Sequence, residues 1–132
     1  MNVLTKRVLL MLVLVVFPPS WVQAEEYLNY IELQSFVTNF GEVQTGPLRF
    51  MKADVTLHLA PGGSRIDVEK HKAHIRNDLI FLFKAQKEAD LATVEAQMLL
   101  AQRALRVVQQ VLVDETGHPH VDDLFFTSLV IQ

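Results

Sequence analysis

Val8 to Phe17 is an unbroken apolar run, preceded by Lys6 and Arg7 and ended by Pro18–Pro19. Beyond a polar lead-in from Glu25 to Asn29, the pattern changes to a period of two. Ile31, Leu33 and Val37 alternate with Glu32, Gln34 and Thr38, which predicts a half-buried strand over 31–39 with the first three facing inward. Phe36 interrupts its polar face. After a loop holding Gly41, Gly46 and Pro47, residues Leu48 to Leu59 alternate most clearly. Met51, Ala53, Val55, Leu57 and Leu59 share one face while Lys52, Asp54, Thr56 and His58 share the other, since successive strand side chains point in opposite directions. Ala60–Pro61–Gly62–Gly63 stops this strand, because proline lacks a ladder donor and paired glycines favour a turn.

The period then lengthens. Ser64 followed by Asp67 resembles a helix start, and Val68, Ile75, Leu79, Leu82 and Phe83 form a stripe on a helix expected to run to about Lys87. A second helix is expected from about Thr93 to Leu112, with Leu100, Ala101, Ala104, Leu105, Val108, Val111 and Leu112 on one face and Thr93 or Asp90 as its cap. Asp114 to Pro119 reads as a turn, and Val121 to Ile131 as a closing strand apolar on both faces. That pattern suits a strand in the middle of a sheet, or one whose second face is covered by another subunit. Strand, strand, helix, helix, strand predicts an α+β domain: a mainly antiparallel sheet of about three strands covered by two helices.

The opening run changes where this domain is expected to work. A basic start, a short apolar core and Val22–Gln23–Ala24 before Glu25 have the form of an export signal over 1–24, with cleavage between Ala24 and Glu25. The alternative is a short membrane anchor, although a span needs about 20 mostly apolar residues. Either reading exports residues 25–132. That portion has ten basic and fifteen acidic residues, a formal charge of −5. A net-acidic domain without a basic cluster is unsuited to nucleic acid, which is gripped through its phosphates. With no cysteine, it has neither disulfide nor thiolate chemistry.

The five histidines are the one candidate for site chemistry. His71 and His74 share a helix face, and His118 and His120 flank Pro119 ahead of Asp122 and Asp123. Imidazole and carboxylate would suit zinc if the two segments met. No recognised ligand spacing joins them, and solvated pairs explain them equally well. Gly62–Gly63–Ser64 lacks a nucleophile elbow's strand-nucleophile-helix order, and no Gly-Lys-Ser/Thr follows to make a phosphate loop. The residues point to no catalytic group, metal or cofactor.

Four segments in order carry a family likeness. Phe36–Val37–Thr38–Asn39 ends the first strand, Leu48–Arg49–Phe50–Met51 opens the second, and Ile75–Arg76–Asn77–Asp78–Leu79–Ile80 lies on the first helix. The chain closes on Leu124–Phe125–Phe126–Thr127–Ser128–Leu129–Val130–Ile131–Gln132. Together these resemble the periplasmic part of the FliL family, flagellar basal body-associated proteins, along nearly all of 25–132. The chain departs from the family's pattern in its signal-like N-terminus, in Glu95–Ala96 where Glu-Gly is usual, and in His74 where proline often stands. These differences suggest a divergent or paralogous member.

The resemblance implies a stomatin/prohibitin-like fold and a non-enzymatic role beside the flagellar stator subunits, supporting swimming, swarming and chemotaxis. It implies a homo-oligomeric ring in the periplasm, associated with the inner membrane through partners or an uncleaved N-terminus. Partner or self-association contacts are expected at Arg49, Arg76, Asp78, Phe125 and Thr127. A solvated helix face accounts equally well for Arg76 and Asp78; on the ring reading Arg76→Glu should reduce swimming or swarming under load while changing stability by under about 0.5 kcal/mol, as surface charge changes do. The rival from another class is a periplasmic carrier enclosing a small apolar ligand, for which a pocket of several hundred Å3 lined by the helix stripes would speak.

Overall fold

Alternation in the second strand is matched in the computed structural model, which describes residues 28–41 and 46–132. Strand β1 spans Tyr30–Asn39, β2 Phe50–Leu59 and β3 Val121–Ile131. They form one antiparallel sheet in the order β1-β2-β3. Helices α1 (Arg65–Lys70), α2 (Lys72–Lys84) and α3 (Val94–Thr116) lie between β2 and β3 in sequence. In space α2 packs over β1 and α3 over β3. The fold is thus α+β with one face of the sheet covered. The export-signal reading, with Ala24 and Glu25, falls outside the described residues. Among those residues no helix is long and apolar enough to cross a membrane.

The core lies between the covered face and the helices. Met51, Ala53, Val55, Leu57 and Leu59 are buried against Val68, Ile75, Leu79 and Phe83 from α1 and α2 and Leu100, Ala104, Val108 and Leu112 from α3. Phe36 meets Phe83 edge-on with ring centroids 5.4 Å apart. Each buried leucine or phenylalanine stabilises by about 1.5–3 kcal/mol relative to exposure, so this interior supplies the main force closing the helices onto the sheet.

Four expectations need correction. The first strand keeps Ile31 and Leu33 inside, but a bulge between Leu33 and Phe36 reverses the alternation. Phe36, Thr38 and Phe40 are then buried, while Val37 is 68% exposed. The first helix is broken at His71, which separates α1 from α2, and it ends at Lys84; Lys70, His71 and Lys72 supply no apolar stripe to carry it through. The second helix runs a turn further than expected, to Thr116, and stops where Gly117 adopts φ 84°. Finally, β3 is an edge strand and β2 is central, which removes the first of the two alternatives for β3 and leaves the second, a face covered by another subunit.

Local chemistry sets the helix starts. Ser64 accepts from the Asp67 amide and Thr93 from the Ala96 amide, each satisfying a donor that the helix leaves unpaired. The turn after β2 is fastened to the start of β3. The Ala60 amide donates to the His120 carbonyl at 2.9 Å, and Gly63 packs so closely that a Cβ there would sit 2.2 Å from that oxygen. His120 has φ 55° and is buried. Its Nδ1 accepts from the Ser64 amide at 3.1 Å and its Nε2 lies 2.9 Å from the Thr116 hydroxyl. One imidazole thereby joins the start of α1, the end of α3 and the entry to β3.

Candidate interaction surface

Among the described residues no helix covers the second face of the sheet, and the strand register shows which side chains meet there. Tyr30 lies across from His58, and His58 across from Asp123. Glu32, Thr56 and Phe125 form the next row, and Val37, Lys52 and Val130 a further one. Between them Asp54 is flanked by two bulges, the one after Leu33 and one at Thr127. The Ser35 hydroxyl donates to the Asp54 carboxylate, and the Thr127 hydroxyl donates to its backbone oxygen at 3.3 Å.

Apolar groups are interspersed on this face. Phe125 and Val130 are each 41% exposed. The Tyr30 ring lies 4.9 Å from the His58 ring and 6.4 Å from that of Phe125. His58 Nδ1 lies 2.5 Å from the Asp122 carboxylate. A mixed surface of aromatic, aliphatic and acidic groups suits contact with another protein better than it suits catalysis.

The two edges of the sheet differ. Even-numbered residues of β2 turn their peptide groups toward β3, as the reciprocal bonds of Phe50 and Gln132 show, and odd-numbered ones turn toward β1, as Leu59 does to Asn29. Helix side chains cap part of the outward edge of β1, at its start and at its bulge. Arg65 Nη2 donates to Leu28 O and Tyr30 O, both at 2.6 Å. Arg76 donates to Gln34 O at 2.5 Å and Ser35 O at 3.3 Å, at the bulge, and its guanidinium lies 4.3 Å from the centre of the Phe36 ring. On β3, among the described residues, only the beginning is so protected: Gln109 donates to Val121 O, and Asp123 accepts from the Leu124 amide. Beside this edge runs an open groove of about 380 Å3, lined by Val94, Met98, Ala101 and Leu105 of α3 and by Leu124 and Phe126 of β3.

The expected contact residues are dispersed. Arg49 pairs with Glu88 at 3.1 Å, in an exposed bridge joining the entry of β2 to the 3-10 turn Glu88–Asp90. Arg76 is engaged within the chain, so it is not the free helix charge of the solvated reading. Asp78 lies 3.4 Å from His74 and accepts from Asn77. Phe125 and Thr127 lie together on β3 and away from α2. His71 and His74 both face Glu115 of α3, at 3.8 and 3.1 Å, whereas His120 faces Ser64 and Thr116. The two histidine segments therefore do not converge, and among the described residues no group of three or more histidine and acidic side chains is placed to hold a metal ion.

Sequence reasoning missed Tyr30, Met98 and Val94 as surface groups. The signal for the last two was present, since 94, 98, 101 and 105 have helical spacing beside the deeper stripe of α3.

Two comparisons bear on this arrangement. The family model described as flagellar basal body-associated protein FliL matches residues 30–132, from the first residue of β1 to Gln132. No curated protein matches the chain.

Proposed function

The chain belongs to the FliL family, flagellar basal body-associated proteins, and from that premise we propose that it works in the periplasm against the inner membrane as a non-enzymatic companion of the stator units. Its task is to hold the engaged stator and support motility, including swimming, swarming and chemotaxis. The family match over residues 30–132 carries this reading. Support also comes from the mixed open face of the sheet. The cavity that a carrier would need is instead a groove open along one side.

The same proposal includes a homo-oligomeric ring. A ring needs two different surfaces on each copy, because heterologous contacts join head to tail and close when the rotation permits. Arg76 and Asp78 belong to α2, on the β1 side, while Phe125 and Thr127 of β3 contribute side chains to the open face of the sheet rather than its backbone edge. Arg49 contributes from the entry of β2. A strain lacking the protein should swim poorly under viscous load, and the purified full chain should retain stator subunits in a pull-down. Normal motility of that strain together with no stator retention would remove the proposal.

A further inference from the structure

We propose that the edge of β3, free among the described residues, and the groove beneath α3 form a docking site for one extended, helix-free segment of a partner protein, which adds to the sheet as a fourth strand. The β3 partners of odd-numbered β2 residues are Val121, Leu124, Phe126, Leu129 and Ile131, so their peptide groups face away from the sheet, and Val121 O is already taken by Gln109. The Leu124 amide is already taken by Asp123. Phe126, Leu129 and Ile131 offer the remaining backbone donors and acceptors, and this is the polarity that recruits another strand.

Side chains of an added strand would have a lining ready for them. Val94, Met98, Ala101 and Leu105 recur at spacings of four, three and four along α3 and line the groove. Val94 is 68% and Met98 60% exposed. Phe126, Leu129 and Ile131 pack only partly against the core on the same side. A strand beside β3 would place alternate residues against both sets. Asp123 is the charged group in the lining and Gln97 and Gln102 are polar, with no basic residue among them. The fitting segment therefore alternates small apolar residues and carries lysine or arginine at the end near Asp123.

A second copy of this chain fits poorly. Its β1 edge is capped by Arg65 at Leu28 and Tyr30 and by Arg76 at Gln34 and Ser35. Its β3 edge is flanked by its own α3, which reaches over to Val121 through Gln109. Paired strands lie about 4.8 Å apart, whereas packed helices need roughly 8–10 Å. Two α3 helices cannot both stay over two adjoining β3 strands.

The test uses the full chain in mild detergent and a fluorescent synthetic peptide alternating valine and threonine with a lysine at each end. Two further peptides carry N-methyl groups on opposite sets of alternate amides, of which only one set can face β3. Saturable binding is expected, with at least a tenfold loss for one methylated peptide and none for the other. Met98→Glu should weaken binding at least tenfold without changing the melting temperature. Hydrogen exchange at the Phe126, Leu129 and Ile131 amides should slow when peptide is added. Absence of saturable binding up to millimolar peptide, equal binding of all three peptides, or unaltered binding to Met98→Glu would overturn the proposal. Protection of those amides that grows with protein concentration alone would also overturn it, by showing a second copy in the site.

Discussion

Arg76→Ala removes the side chain that spans from α2 to the bulge of β1, and its cost can be worked from the contacts. The bond to Gln34 O at 2.5 Å contributes about 1 kcal/mol after exchange with water, and the longer one to Ser35 O about half that. Stacking over Phe36 at 4.3 Å adds about 0.5–1 kcal/mol. Both carbonyls lie at an exposed edge, so water regains part of the hydrogen-bond contribution, leaving a net loss of about 1–2 kcal/mol. For a domain of this size that lowers the melting temperature by roughly 5–15 °C. Arg76→Lys retains charge without the planar fork and should fall between the two. Arg76→Glu should lose more than Arg76→Ala, because a carboxylate would face two carbonyl oxygens. Thermal unfolding followed by circular dichroism measures all three, with exposed Arg106→Ala as the control. If Arg76→Ala melts within about 1 °C of the parent, or no lower than Arg106→Ala, the guanidinium is not holding the bulge and the estimate built on these bonds fails.

Three other substitutions test separate parts of the molecule. Gly63→Ala should destabilise by about 2–3 kcal/mol, since its Cβ would press on the His120 carbonyl between two fixed backbones; urea unfolding would show a lower midpoint, and an unchanged midpoint would contradict the close approach. Phe125→Glu, on the half-exposed open face, should alter stability by under about 0.5 kcal/mol yet reduce cross-linked oligomers in cells, and undiminished cross-linking would remove Phe125 from the contact set. Ala24→Lys should block processing at Glu25 because a signal peptidase requires a small residue before the cut. Recovery of intact Met1 from the membranes of cells carrying the parent chain would instead favour the anchor.

Much of the fold was legible because burial leaves a period in the sequence. Met51 to Leu59 alternate without interruption, and β2 is the strand paired on both sides. The first strand was harder to read, since a bulge adds one residue without changing composition. Phe36 was the available clue: it fell out of phase with Leu33, and the simplest repair is an insertion between them. Position within the sheet was not legible. Apolar residues on both faces of β3 suited a central strand or one covered by another subunit; the strand lies at the edge, with Phe125 and Val130 half-exposed on the open face. The break at His71 reflects the weakly apolar Lys70 to Lys72, a region with few core contacts to define a helix. Family motifs drew attention to Arg76 and Phe125 but did not reveal what they touch. Arg76 meets carbonyls 41 and 42 positions earlier in the chain, a separation that no local pattern encodes.

The arginine-sealed margin of β1 has a consequence for growth. Linear β polymers extend because every newcomer leaves behind a margin equivalent to the one it occupied. Here the two margins are not equivalent, so a copy arriving at β3 could not present its own β1 as the matching half. Recruitment at β3 therefore terminates after a single addition, so one reactive margin can stand exposed without setting off fibre propagation.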